Sequence, residues 1–177
     1  MRAREWHCGP FDFGLATPLV MGICNVTPDS FSDGGMHATA SEALEHAKKL
    51  IAAGADIIDV GGESTRPGAE EVPPEVEIAR VLPVVHELAS HGVAVSVDTR
   101  HASVAEACVD AGACIVNDVS GFRSADMREV AARGDAGLVV MHMRGTPKTM
   151  QDAPAYDDVV HEVEQEMMRM VTRLTTE

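Results

Sequence analysis

Short runs of apolar, mostly β-branched residues alternate along the chain with longer segments whose apolar residues recur at helical spacing. This alternation predicts βα units arranged around a parallel sheet. The runs are nearly continuous, as expected for strands that are buried on both faces. Five such strands are predicted, at residues 19–26, 56–60, 93–97, 114–116 and 138–141.

The segments between the strands carry signals for the start and end of helices. Thr39 and Glu42 match a capping box, and Gly54 supplies a stop, so the first helix is predicted between Thr39 and Gly54. Further helices are predicted at 74–90, 102–111, 125–133 and 157–174. The last of these has apolar residues at helical spacing, namely Val160, Val163, Met167, Met170 and Leu174. Residues 1–18 are predicted to form a hairpin or a loose cap before the first strand.

Length and charge narrow the classes of function. The 177 residues correspond to one domain or to part of a larger one. The formal net charge of −14 opposes a sequence-independent grip on nucleic acid or on an anionic membrane. No apolar run approaches the roughly 20 residues of a membrane span, and the first 30 residues lack a signal-type pattern, so we expect a cytoplasmic protein. The four cysteines form no CxxC pair and are expected to be buried, reduced thiols.

Polar side chains gather where the predicted strands end. Asn25, residues 63–66, Asp98, Asn117 and His142 all lie at or just beyond the carboxyl end of a strand. This is the edge at which barrels and open α/β sheets bind ligands. A buried carboxylate or amide there needs a hydrogen-bonding partner, which either a ligand or neighbouring backbone can provide. His142 is expected to be a core or supporting residue.

Two loops at this edge carry further candidate chemistry. The loop NVTPDSFSDGG at 25–35 contains Phe31 and Asp33, and the loop GGESTRPGA at 61–69 contains Thr65, Arg66 and Pro67. Hydroxyl and guanidinium groups of this kind suit a phosphate or a carboxylate. The alternative for the second loop is a plain turn with a surface arginine. The phosphate, zinc-protease and serine-hydrolase motifs GxGxxG, GxxxxGK[ST], HExxH and GxSxG are absent from the sequence.

The longest of these motifs resemble one known family. MGICNVTPDSFSDGG at 21–35 and DVGGESTRPGA at 59–69, followed by SVDT at 96–99, NDVSG at 117–121 and MHMRGTPKTMQ at 141–151, resemble dihydropteroate synthase of folate biosynthesis. The resemblance covers nearly the whole chain. Corrinoid-linked methyltransferases of the wider pterin-binding group resemble the same frame but lack the first two motifs in full.

The resemblance implies a (β/α)₈ TIM barrel, represented here by its first five βα units. Residues 1–177 would then be a pterin-binding domain that is incomplete at its carboxyl end, because eight units take about 250 residues. The implied reaction condenses 6-hydroxymethyl-7,8-dihydropterin diphosphate with p-aminobenzoate to give 7,8-dihydropteroate and pyrophosphate. Sulfonamides would compete for the p-aminobenzoate site, and the full-length enzyme is expected to be a homodimer.

The resemblance also implies a role for each site residue. Asn25 would help bind Mg²⁺, the one implied cofactor, together with the diphosphate. Asp98 and Asn117 would bind the pterin. The two loops would supply the catalytic residues Asp33 and Arg66, and the substrate-binding residues Phe31, Thr65, Arg66 and Pro67.

Two alternatives to an active synthase remain open at this point. One is a truncated, non-catalytic remnant that binds pterin weakly or not at all. The other is a pterin-binding methyltransferase domain, against which the presence of Phe31, Asp33 and Arg66 argues.

Overall fold

A two-stranded antiparallel hairpin precedes the main sheet. The computed structural model describes residues 5–27, 35–63, 71–146, 149–150 and 154–176, with the side chains of the first helix from residue 40 onward. β1 (Glu5–Cys8) pairs with β2 (Phe11–Gly14), and Cys8 lies opposite Phe11. Gly9 turns the chain between them with a φ of 55°, which glycine adopts without strain. The hairpin, and not the loose cap, is therefore the form that residues 5–14 take.

Five parallel strands and five helices follow in strict alternation within the described residues. The helices are α1 (Gly35–Ala52), α2 (Pro74–Ser90), α3 (Ala102–Asp110), α4 (Ala125–Ala132) and α5 (Val159–Thr176). The strands are β3 (Met21–Asn25), β4 (Ile57–Gly61), β5 (Val95–Asp98), β6 (Ile115–Asp118) and β7 (Gly137–Val140). They pair in chain order, β3-β4-β5-β6-β7. This confirms the five predicted βα units.

Most boundaries differ from the prediction by one or two residues, and two of the differences have a local explanation. α1 begins at Gly35, so Thr39 lies inside the helix and the predicted capping box does not start it. Ala38 and Ala40 favour helix strongly enough to extend it by a turn before the capping pattern. β6 extends to Asp118, because Asn117 and Asp118 continue the pairing with Val139 and Val140 of β7.

One face of the parallel sheet packs against helices. Cys24, Val60, Val97 and Val116 are consecutive partners across β3 to β6 and therefore lie on the same face. All four are buried in one apolar cluster with residues of α1, α2, α3 and α4. Burial of this apolar surface stabilises the fold.

The opposite face of the sheet is apolar at its amino end and polar at its carboxyl end. Ile57, Cys114 and Ile115 form a second apolar cluster with Cys8 of the hairpin, and the rings of Trp6, Phe11 and Phe13 pack against it. The hairpin thus covers the amino end of this face. The carboxyl end of the same face is left for the polar side chains described below.

α5 lies along the end of the described chain and is the least covered helix. Val163, Met167, Met170 and Leu174 are half-buried, whereas Val160 is 74% exposed. The spacing predicted the helix correctly, but Val160 does not share the burial of the other four residues. None of the described helices combines the length and apolar character that a membrane crossing requires. All four cysteines are buried and free, as expected.

Candidate functional site

A row of polar side chains crosses the carboxyl edge of the sheet. Asn25, Gly61, Asp98 and Asn117 are consecutive partners across β3, β4, β5 and β6. Partners in a parallel ladder point to the same face, so these residues all face away from the helices. The structure thus brings together the three predicted site residues that lie in its described part, Asn25, Asp98 and Asn117.

Gly61 leaves a gap in the middle of this row. A Cβ placed on Gly61 would lie 3.5 Å from Asn25 Oδ1 and 3.5 Å from Asp98 Oδ2. Both oxygens therefore border the same space beside the strand. Any side chain at this position would occupy that space, which the glycine keeps open for other atoms.

The Asp98 carboxylate is the most perturbed group of the row. Its Oδ1 is buried and makes no hydrogen bond with any described residue. Burial, reinforced by the negative charges of Asp59, Glu77, Asp118 and Glu63, raises the pKa of Asp98 to about 7. A buried acceptor of this kind in a native fold requires a partner, and donors on a ligand can supply it.

Asp59 lies one layer below this row and orients one of its members. Asn117 Nδ2 donates a hydrogen bond of 3.1 Å to Asp59 Oδ2. Asp59 is buried, and burial raises its pKa while the hydrogen bond from Asn117 opposes the rise. The contact fixes the plane of the Asn117 amide. Sequence reasoning missed this role, although Asp59 interrupts an otherwise apolar strand and the interruption is visible in the sequence.

An ion pair joins the segments that follow β4 and β5. Arg100 Nε donates to Glu63 Oε2 at 3.1 Å, and Arg100 Nη2 donates to Glu63 Oε1 at 3.0 Å. Glu63 Oε1 also accepts a hydrogen bond from the backbone N–H of Val72 at 3.3 Å. Glu63, which follows β4, is therefore bonded both to Val72 and to Arg100, the residue two positions after β5. Arg100 is a second residue that the sequence reasoning did not single out.

His142 is held by Tyr156, which precedes the last helix, and by Glu166 on that helix. His142 Nε2 lies 3.0 Å from the Tyr156 hydroxyl, and Nδ1 lies 3.0 Å from Glu166 Oε2. These contacts link the end of β7 to α5. Five predicted site residues lie outside the described residues, namely Phe31, Asp33, Thr65, Arg66 and Pro67.

The chain matches the family model described as pterin binding enzyme over residues 21–176. It is 50% identical over 166 residues to dihydropteroate synthase of Neisseria meningitidis serogroup B, a match that covers 92% of this chain and 58% of the relative. The chain thus spans somewhat more than half the length of this relative.

Solved structures show the same fold. Burkholderia cenocepacia dihydropteroate synthase complexed with 7,8-dihydropteroate superposes with a TM-score of 0.85 at 41% identity, covering 97% of this chain and 58% of that one. Yersinia pestis dihydropteroate synthase in a sulfonamide drug complex gives 0.89 at 43% identity, covering 97% and 62%. The five parallel strands of this chain are accordingly part of a TIM-barrel wall.

Proposed function

Because this chain belongs to the family of pterin-binding enzymes, we propose that it forms part of a dihydropteroate synthase, with residues 1–177 as an incomplete pterin-binding domain. The reaction would join 6-hydroxymethyl-7,8-dihydropterin diphosphate to p-aminobenzoate. The identity to the Neisseria meningitidis synthase supports this. The observation that carries the proposal is the buried Asp98 carboxylate, whose Oδ1 has no partner among the described residues, at the ligand-binding edge of the sheet.

Asp98 and Asn117 would recognise the pterin. Its amino-pyrimidine edge presents adjacent N–H donors, and a carboxylate accepts such donors with charge-assisted hydrogen bonds. Asp98 supplies the acceptor, and Asn117 is held in one orientation by its bond to Asp59. Since both groups stand at strand ends, the rigid sheet fixes their positions before the ligand arrives.

Asn25 would hold Mg²⁺ together with the diphosphate. Its Oδ1 borders the space that Gly61 leaves open. An amide oxygen is a hard ligand of the kind Mg²⁺ prefers, and Mg²⁺ commonly takes its remaining ligands from substrate phosphates and water. The amide oxygen of Asn25 is therefore a suitable ligand for Mg²⁺. When bound, Mg²⁺ supplies the positive charge that offsets the negative charge developing on the departing diphosphate.

The chemical step follows from the resemblance to the family. The bond between the pterin methylene carbon and the diphosphate oxygen breaks first, and pyrophosphate leaves with the electron pair. The arylamine nitrogen of p-aminobenzoate then attacks the resulting cation and loses a proton. Asp33 would stabilise the cation electrostatically. The Arg66 guanidinium would bind an anionic group of the substrates, either a phosphate or a carboxylate. Phe31 and Pro67 would form the p-aminobenzoate pocket, and Thr65 would line the substrate site with Arg66.

The location, inhibitor and oligomeric state of the protein are also proposed. The protein is proposed to act in the cytoplasm, as the sequence predicts. The Yersinia pestis structure contains a sulfonamide drug, which supports sulfonamide competition at the p-aminobenzoate pocket of this protein as well. The complete protein is proposed to be a homodimer that needs neither nucleic acid nor a membrane.

Formation of 7,8-dihydropteroate from the two substrates and Mg²⁺ tests the proposal. The assay compares this 177-residue chain with the form extended to the next stop codon of its gene. We expect synthesis by the extended form. Asp98→Asn in that form should lower kcat/KM by about 10- to 100-fold, the range of a lost hydrogen bond to a charged group.

Asp135→Asn is the matched control, because Asp135 is exposed and precedes the amino end of β7, at the opposite end of the sheet from the polar row. Its kcat/KM should equal that of the unmodified protein. Absence of synthesis in both forms would favour the non-catalytic remnant. Methyl transfer from methyltetrahydrofolate to a corrinoid, in place of synthesis, would favour the methyltransferase.

A further inference from the structure

Glu63, Glu77 and His101 meet where three segments of the chain converge. Glu63 follows β4, Glu77 lies in the first turn of α2, and His101 directly precedes α3. His101 Nε2 lies 3.7 Å from Glu63 Oε2 and 4.0 Å from Glu77 Oε2. One ligand atom from each residue lies within 4.8 Å of the other two. We refer to these three residues as the Glu63 triad.

The triad contains buried polar atoms that the described residues do not satisfy. Glu77 is 0% exposed, and neither of its carboxylate oxygens makes a hydrogen bond with the described residues. Burial raises the pKa of Glu77 to about 7, and the neighbouring Thr99 side chain opposes the rise without reaching hydrogen-bond geometry. His101 Nε2 is likewise buried and unbonded. Buried polar groups in native proteins nearly always have a partner, so three such atoms turned toward one another indicate a missing ligand.

The charge around the triad favours a cation as that ligand. Three carboxylates lie here, Glu63, Glu77 and Glu71, of which Glu71 Oε2 lies 3.7 Å from Arg100 Nη2. They are faced by the guanidinium of Arg100 and, with a weaker effect on Glu77, by that of Arg80. Among these described side chains, with the carboxylates ionised as a bound cation requires, the two arginines leave one negative charge unbalanced.

Arg100 does not occupy every acceptor site of the Glu63 carboxylate. Each carboxylate offers about four lone-pair sites on its two oxygens. Arg100 Nε takes one site on Oε2, while Arg100 Nη2 and the Val72 N–H bind Oε1. Oε2, the atom that faces His101, keeps a site for a further ligand.

We propose that the Glu63 triad binds a divalent transition-metal cation of the Zn²⁺ class. Ligand bonds of about 2.0–2.2 Å place the ligand atoms of such an ion roughly 3 to 4 Å apart. His101 Nε2 lies 3.7 Å and 4.0 Å from the two carboxylate oxygens, at the upper end of that range. Two carboxylate oxygens and one imidazole nitrogen suit Zn²⁺, whereas Mg²⁺ and Ca²⁺ prefer oxygen alone. The site is separate from the one proposed at Asn25. It would tie two consecutive βα units together, β4–α2 and β5–α3, and it stands independently of the proposed reaction.

Titration with Co²⁺, a spectroscopic probe for Zn²⁺ sites, tests this proposal on the 177-residue chain after treatment with a chelator. We expect one Co²⁺ per chain, with visible absorption that Zn²⁺ abolishes by displacement and that excess Mg²⁺ leaves unchanged. Glu77→Gln and His101→Lys should each weaken Co²⁺ binding by about 10- to 100-fold or more. The controls Glu75→Gln and His86→Lys change exposed residues of α2 and should bind as the unmodified chain does.

His101→Lys also separates a metal ligand from a simple counter-ion. Lysine places a positive charge beside both carboxylates, as a simple counter-ion would, so the variant should retain its circular dichroism and its urea midpoint while losing the Co²⁺ spectrum. Lack of stoichiometric Co²⁺ binding by the unmodified chain would overturn the proposal. So would equal losses in the triad variants and in their controls, because the metal would then bind elsewhere.

Discussion

The Asp98 carboxylate is held in surroundings that disfavour its charge when no ligand is present. Its Oδ1 is buried without a partner, and burial together with nearby carboxylates raises its pKa to about 7. A ligand that donates hydrogen bonds there would reverse this effect and favour the ionised form. Asp98 thus lowers the stability of the unliganded protein and would strengthen ligand binding. Such a trade-off is common at functional sites.

Asp98→Asn should therefore stabilise the unliganded chain at pH 8. A carboxyl group whose pKa is raised in the folded state contributes stability below its unfolded pKa, near 3.8, and loses it as the pH rises through about 7. The asparagine removes this loss, so the free energy of unfolding should rise by up to about 4 kcal/mol at pH 8. At about pH 4 the two proteins should be nearly equal. Urea unfolding at both pH values measures the difference.

The exposed Asp135→Asn again serves as the control and should leave the urea midpoint unchanged at either pH. If Asp98→Asn is neutral or destabilising at pH 8, the Asp98 carboxylate is not destabilised in the free protein. Its unpartnered oxygen would then carry no information about a ligand.

Single residues also show where inference from the sequence stopped. Asp98 and Asn117 were identified because each directly follows an apolar strand. The bond between Asn117 and Asp59 depends on the pairing of three strands across 58 positions of sequence, which the local pattern does not contain. Glu77 lies fully buried on a helix face, although a glutamate at such a position is ordinarily expected in solvent.

At the scale of elements, alternation of strand and helix was predictable and burial depth was not. α2 occupies the predicted residues, 74–90. α5 forms as its spacing predicts, yet no residue of it is fully buried and Val160 is 74% exposed. Periodicity reports which side of a helix is apolar, whereas the neighbours that cover that side are determined by the tertiary fold.

The hairpin is the element that covers the amino end of the inner sheet face. Gly137, at the start of β7, lies against it so closely that a Cβ there would collide with Cys8 Sγ and with the Trp6 ring. The absence of a side chain at Gly137 therefore lets β7 and the hairpin pack together. This contact is confined to the apolar end of the sheet, away from the polar row.

Gly137→Ala should accordingly destabilise the chain without altering the proposed site. Overpacking of this kind costs about 1 to 3 kcal/mol of the free energy of unfolding, which urea denaturation measures. Gly14→Ala in β2 is the matched control, since no atom lies within 4 Å of a Cβ at that position. Equal urea midpoints for the two variants would show that the hairpin does not pack against β7 in this way.

At the scale of the whole molecule, one face of the sheet packs the core and the carboxyl end of the other face carries the proposed binding site. Apolar residues fill the helix-covered face and the hairpin end, while Asn25, Asp98 and Asn117 are collected at one edge. The net charge of −14 makes an anionic substrate unfavourable without local positive charge. We therefore expect the diphosphate to bind with Mg²⁺ and weakly without it.

Isothermal titration of the chain with 6-hydroxymethyl-7,8-dihydropterin diphosphate and Mg²⁺ tests the pterin site most directly. Run at pH 8 with the unmodified chain, Asp98→Asn and Asp135→Asn, it should give one site per chain. The affinity should fall by about 10- to 100-fold for Asp98→Asn alone. An Asp98→Asn affinity equal to that of the other two proteins would contradict the assignment of this sheet edge as the pterin site.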